Sequence, residues 1–177
     1  MKKRISGKFS LFVIVFVAIF FTTFLGFIAL NESRNLGSNS FNTDLTYVDI
    51  EGESLKLADH KGKVIILYFF YLNCPYCKIS DPYLAAIEDD YLSNQLLIIT
   101  ITIDIADSNS NLYNWKNNLN VSWNIVRDSI GHDYSSHWDV AYTPTTIIID
   151  QDSNFVKKIE GSSDFDSNVR SEIELLI

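Results

Sequence analysis

The chain has 177 residues, 47% of them hydrophobic, with 22 acidic against 14 basic side chains and a net charge of −8. That length fits one domain plus a short attachment. Four of the bases, Lys2, Lys3, Arg4 and Lys8, precede the first acid, so residues 31–177 carry a net charge of −12, which repels phosphate backbones and argues against nucleic-acid binding.

The hydrophobic residues are unevenly spread. Phe9 to Leu30 is a run of 22 residues without a charge, long enough to cross a hydrocarbon core of about 30 Å as a helix. With the bases on its N-terminal side, this predicts a signal-anchor: residues 1–8 cytoplasmic, residues 9–30 transmembrane, and the rest outside the cytoplasm at the cell membrane. A cleaved signal peptide is the rival reading, but a cut after Ala29 would place bulky Phe27 at the −3 position. Residues 31–42, rich in Asn, Ser and Gly, read as a flexible linker, and residues 43–177 as the folded domain.

Within that domain, Leu45–Ile50 and Ser54–Leu57 flank Glu51-Gly52 and predict a hairpin. The unbroken apolar run Val64–Phe70 predicts a strand buried on both faces. Helical spacing covers Lys78–Tyr91, with Pro82 inside as a kink. Leu96–Asp104 is a second buried strand, Ser110–Leu119 a helix, Asn124–Arg127 a short strand and Gly131–Trp138 a short helix. Thr145–Asp150 and Phe155–Ile159 are strands joined by a turn, and Asp164–Leu176 is a closing helix capped by Asp164 or Ser163. Strands alternating with helices imply an α/β domain with a mixed sheet covered on both faces.

The chain's two cysteines, Cys74 and Cys77, follow the first buried strand at once. A pair this close encloses too short a loop to act as a staple, so outside the cytoplasm it reads as a redox or metal site. A sulfur at a helix N-terminus gains acidity from the unpaired N–H groups there. Pro75 suits the first helical position. Cys77, one turn on, can resolve a mixed disulfide formed at Cys74. Zinc is the competing use of the pair, with His60, His132 and His137 as the further ligands to be found. Asp81 is the nearest acid to Cys77 in sequence and reads as a solvated charge on the helix face. Trp115, Trp123 and Trp138 read as core or rim residues. Asp150-Gln151-Asp152-Ser153-Asn154 mimics a calcium loop, but Phe155 stands where the glycine belongs, so a β-turn is expected.

From Phe41 to Ile159 the chain resembles the thioredoxin-like family, of the membrane-anchored TlpA/ResA type. The residues that carry the resemblance are the Leu45–Leu57 hairpin with Lys61-Gly62-Lys63, the strand Val64–Phe70, the Cys74-Pro75-Tyr76-Cys77 motif, and Pro82 five residues past it. Asp128, Tyr134–Val140, Thr143-Pro144-Thr145-Thr146-Ile147-Ile148-Ile149-Asp150 and Gly161 complete it. The resemblance implies a thioredoxin fold, in which a central mixed sheet is flanked by helices and preceded by an N-terminal hairpin extension. It implies a redox-active disulfide between Cys74 and Cys77, supported by Pro75, Tyr76 and Thr143, with Pro144 a cis-proline facing the sulfurs. The implied activity is thiol–disulfide exchange with protein substrates, in the reducing direction, without a cofactor or metal and with a membrane protein as electron donor or acceptor.

Two departures stand out. The family's Trp before the first cysteine is Asn73, and thioredoxin's buried acid six residues before that cysteine is Tyr68. Two alternatives on the same fold stay open: a copper-binding chaperone using the cysteine pair with His132 or His137, and a thiol peroxidase, although the Pro and Thr that peroxidases place before their reactive cysteine correspond here to Leu67 and Tyr71.

Overall fold

The computed structural model describes residues 44–129 and 131–177. The anchor expected at residues 9–30, the basic segment 1–8 and the linker 31–42 lie outside the described residues. Among those described, no helix is long and apolar enough to cross a membrane.

The hairpin forms as β1 (Thr46–Val48) and β2 (Ser54–Lys56), paired antiparallel. A turn of 3-10 helix over Leu57–His60 follows. Then come β3 (Val64–Phe70), helix α1 (Cys77–Asp90), β4 (Leu96–Thr102), α2 (Asn109–Leu119) and β5 (Asn124–Arg127). A five-residue helix α3 (Asp133–His137), strands β6 (Thr145–Ile149) and β7 (Phe155–Glu160), and α4 (Phe165–Leu176) complete the domain. Apart from the added 3-10 turn, the elements match the sequence reading in type and order, with ends that move by at most two residues. One cap differs: Asp164 precedes α4 with a left-handed backbone and its side chain caps nothing.

The sheet order is β5-β4-β3-β6-β7. Its first three strands are parallel to one another, β6 runs antiparallel to β3, and β7 runs antiparallel to β6. This is the mixed sheet that alternation of strands and helices predicts, with β3 at its centre. Every residue of β3 is buried, and its period of two divides them between two cores. Val64, Ile66, Tyr68 and Phe70 pack with Leu84 and Ile87 of α1, Leu112 of α2 and Phe165, Val169 and Ile173 of α4. Ile65, Leu67 and Phe69 pack on the other face with Tyr47, Leu57 and Trp138. The hairpin thus covers a sheet face that would otherwise be apolar and wet. It is tied to the β5 edge where the Ile50 N–H donates to the Ile125 carbonyl at 2.8 Å.

The chain leaves the carboxyl end of β3 directly into the cysteine motif. Because β4 and β5 run parallel to β3, the loops after all three strands gather at that same end of the sheet, which is where open α/β sheets offer sites.

Candidate active site

Cys74 and Cys77 are joined by a disulfide, with Cα atoms 5.2 Å apart. Regular helix begins at Cys77, so Cys74 lies in the turn that leads into α1 and not in the helix itself. Hydrogen bonding nonetheless makes it the effective cap. The Cys74 carbonyl accepts the Lys78 N–H at 3.2 Å, and the Cys74 sulfur accepts the Cys77 N–H at 3.0 Å. An N-terminal residue whose carbonyl and side chain both take helix N–H groups is performing the N-cap role. Pro75 then sits where a missing N–H costs nothing.

A second loop reaches the same sulfur. The Thr143–Pro144 peptide bond is cis. The Thr143 hydroxyl lies 3.6 Å from the Cys74 sulfur and donates to it, and the Thr143 carbonyl lies 3.7 Å away. Pro144 is buried, and its carbonyl accepts the Gly161 N–H at 2.8 Å, which fixes the loop to the end of β7. Gly161 has a φ of +84°, a conformation that side-chain-bearing residues resist.

Both cysteines are about 1% exposed, whereas Tyr76 between them is 63% exposed and Tyr142, beside Thr143, is 69% exposed. Ile79 and Tyr83 continue an exposed apolar stripe along α1, three and seven residues after Tyr76 and hence on one helix face. Asn73, which stands at the family's Trp position, is exposed.

Beneath Cys77 the surroundings differ from the sequence expectation. Asp81 is not a solvated charge: it is buried, at 5% exposure. It lies four residues past Cys77, so both share the inward face of α1. One Asp81 oxygen accepts the Tyr68 hydroxyl at 3.0 Å and the other accepts the indole N–H of Trp115 at 2.9 Å. The Tyr68 oxygen is also 3.4 Å from the Cys77 carbonyl. Burial pushes the Asp81 carboxyl above the ordinary carboxylate range, against the lowering effect of its hydrogen bonds from Trp115 and Tyr68 and of nearby Lys78. Burial, reinforced by Asp81, pushes the Tyr68 phenol far above its usual value, so Tyr68 stays neutral and serves as a donor. The acid that sequence comparison misses at position 68 is therefore supplied from position 81, on the neighbouring helix. The available signal was helical spacing, since Cys77, Asp81 and Leu84 fall on one stripe.

Among the described residues, no three His, Cys, Asp or Glu side chains come together in a way that could hold a metal ion. His132 and His137 lie on the α3 side, where His132 Nδ1 is 3.7 Å from a carboxylate oxygen of Asp128. That carboxylate is spent on the local backbone, accepting the N–H groups of Ser129, Tyr134 and Ser135. Trp123 and Trp138 are buried, and the Asp150 carboxylate closes the β6–β7 turn by accepting the Asp152 and Asn154 N–H groups.

The sequence matches the redoxin family over residues 37–173. Among curated proteins it is 28% identical over 160 residues to the thiol-disulfide oxidoreductase ResA of Bacillus thuringiensis (strain Al Hakam), a match covering 90% of each chain. It is 26% identical to ResA of Bacillus subtilis (strain 168), covering 91% of this chain and 87% of that one. Among solved structures it superimposes on a thiol-disulfide isomerase from Corynebacterium glutamicum with a TM-score of 0.65 at 19% identity, covering 76% of this chain and 96% of that one. A secreted disulfide oxidoreductase of Mycobacterium tuberculosis gives a TM-score of 0.60 at 15% identity, covering 73% and 96%. These likenesses establish the thioredoxin fold.

Proposed function

The chain belongs to the redoxin family, and from that membership we propose that it works outside the cytoplasm as a membrane-tethered reductant of protein disulfides. It is a thiol–disulfide oxidoreductase of the ResA type.

The observation that carries the roles is the convergence of the Cys77 N–H and the Thr143 hydroxyl on the Cys74 sulfur. In the reduced protein those two donors favour the thiolate, which is the nucleophilic form. The Cys74 thiolate attacks one sulfur of a substrate disulfide. A mixed disulfide forms, and the other substrate sulfur leaves as a thiolate. Cys77 then loses its proton and attacks the Cys74 sulfur. The internal disulfide closes and the substrate departs with both sulfurs reduced. Asp81 takes the Cys77 proton: it is buried on the same helix face, and its raised affinity for protons brings it closer to a thiol's own value. Tyr68 and Trp115 aim its two oxygens. Tyr76 and Tyr142 meet the substrate around the sulfurs, Pro75 shapes the turn, and Pro144 fixes Thr143 beside Cys74.

The electrostatics support the reducing direction. Both donors on the Cys74 sulfur are neutral, and the charge beneath the pair is that of an acid. Weak thiolate stabilisation keeps the dithiol a good electron donor, whereas strong stabilisation of the reduced form makes an oxidant. The tether is supported by the 22-residue uncharged run after four bases. With one cysteine pair in the entire chain, the protein needs a membrane partner to recharge it with electrons.

The test is the reduction potential of the Cys74/Cys77 couple together with two variants. A potential near thioredoxin's value of about −270 mV marks a reductant, and one near about −120 mV an oxidant. Cys74→Ser loses insulin-disulfide reduction, while Cys77→Ser accumulates mixed disulfides. Turnover surviving in Cys74→Ser overturns the assignment of the attacking sulfur. For the tether, the full chain partitions with membranes after alkaline extraction; release into the soluble fraction overturns it.

A further inference from the structure

Asp107 lies in the loop between β4 and α2, 33 residues past Cys74, and is 4% exposed. Its Oδ2 accepts the Leu72 N–H at 3.1 Å and the Thr102 hydroxyl at 2.5 Å. Leu72 is the second residue of the turn in which the Tyr71 carbonyl accepts the Cys74 N–H at 3.1 Å. Asp107 thus grips the turn that delivers the attacking sulfur, at a backbone N–H with no place in the sheet ladder.

The grip is itself braced. At the end of β5, the Arg127 guanidinium donates to the Ile105 carbonyl at 2.9 Å and to Asn109 Oδ1 at 3.1 Å, and also bonds the Asp107 carbonyl. These bonds clasp the loop on both sides of Asp107. The Asp107 N–H donates to the Asp104 carbonyl at 3.1 Å, and Thr102, the last residue of β4, orients the carboxylate. Three strand ends therefore act on one turn: β3 supplies it, β4 supplies Thr102 and β5 supplies Arg127. A buried carboxylate braced in this way costs desolvation. Tying down a surface loop alone would not require it to reach across to the cysteine turn.

We infer that Asp107 is a positioning residue for disulfide exchange, holding the Leu72 amide so that the Tyr71–Cys74 turn keeps the Cys74 sulfur against the Cys77 N–H and the Thr143 hydroxyl. The inference rests on Cys74 being the attacking sulfur. Small displacements of a reacting group lower rates by up to about 10²-fold, so the loss of this grip is measurable without any loss of fold.

Both donors converge on Oδ2, so an amide oxygen in its place accepts both. Asp107→Asn therefore keeps the grip and removes the charge, while Asp107→Ala removes both. Comparison of the two isolates positioning from electrostatics. In the full-length chain held in mild detergent, Asp107→Asn retains at least half of the wild-type rate of insulin-disulfide reduction. Asp107→Ala is slower than Asp107→Asn by about 10-fold. Its Cys74 alkylation profile has a higher midpoint pH than that of Asp107→Asn, and its Leu72 amide exchanges faster with solvent. Should Asp107→Ala fail to fold, Thr102→Val, which removes the orienting hydroxyl at nearly constant volume, shows the same changes in smaller measure. Equal rates and equal alkylation profiles in the Asn and Ala variants, or an unaltered Thr102→Val where Ala does not fold, overturn the inference. Cys74→Ser in the same assay separates the two levels: activity there overturns the attacking-sulfur assignment, whereas an inactive Cys74→Ser beside a fully active Asp107→Ala overturns the positioning role alone.

Discussion

The two sulfurs of the disulfide are neighbours, yet what lies beyond each of them differs. Past Cys74 are a backbone N–H, a threonine hydroxyl and two exposed tyrosines. Past Cys77 the chain turns inward to buried Tyr68 and Asp81 and half-buried Trp115, a cluster built around one acid. One side offers donors that favour a thiolate and a surface that a second protein can touch. The other offers a buried carboxyl, the proton acceptor proposed above, and little access. On the proposed roles, nucleophilic attack and resolution by two cysteines of identical chemistry fall in different environments. The same principle divides labour between paired carboxylates in other enzymes.

That contrast can be broken from either side. The largest effect is expected at the base of the buried cluster. Asp81→Ala leaves the Trp115 indole N–H without its acceptor and the Tyr68 hydroxyl with only its long contact to the Cys77 carbonyl, at a cost on the order of 2 kcal/mol, read as a lowered midpoint in urea unfolding. Asp81→Asn is gentler in structure and sharper in function. The amide oxygen accepts from Trp115 and the amide nitrogen donates to a rotated Tyr68 hydroxyl, so packing survives. With no proton acceptor, the resolving step slows by about 10²-fold, and stopped-flow kinetics show mixed disulfide accumulating while its formation is unchanged. An unchanged resolving rate removes Asp81 from the mechanism.

The same variant carries a pH signature. A carboxyl whose folded value is raised binds more protons in the native state than in the unfolded chain, between its ordinary 3.8 and the folded value. Stability therefore falls as pH climbs through that window. Asp81→Asn lacks the penalty, so its stability relative to wild type rises with pH and the two converge below the ordinary carboxylate value. Denaturant midpoints measured from acid to mildly alkaline pH check this. The smallest expected effect is on the Cys74 side. Thr143→Val removes the long hydroxyl contact and raises the Cys74 thiol slightly, because one weak hydrogen bond contributes well under about 1.5 kcal/mol. The pH dependence of iodoacetamide alkylation reports it.

The sequence made the sheet legible because β3 and β4 are unbroken apolar runs bounded by turn residues, and a strand buried on both faces has no polar alternation to obscure it. The cysteine motif was legible for a local reason as well: its spacing and its place after β3 lie within a few residues of each other. Asp81 was misread as a surface charge because acids on helices usually are solvated, and its partners come from β3 and α2, 13 and 34 residues away. Asp107 gave no signal at all. Its partner is a backbone N–H 35 residues distant, and backbone groups have no sequence identity to match. Local patterning thus yields elements and motifs, while polar contacts between elements appear only when the sheet assembles them.

Tyr76 and Tyr142 stand out in solvent around two sulfurs that are themselves shut in. Replacing either aromatic disturbs neither the donors on Cys74 nor the acid under Cys77. On the proposed reading, client choice drifts from lineage to lineage, or is retargeted by protein engineers through swaps at these rim positions, while the electron-transfer apparatus is inherited intact.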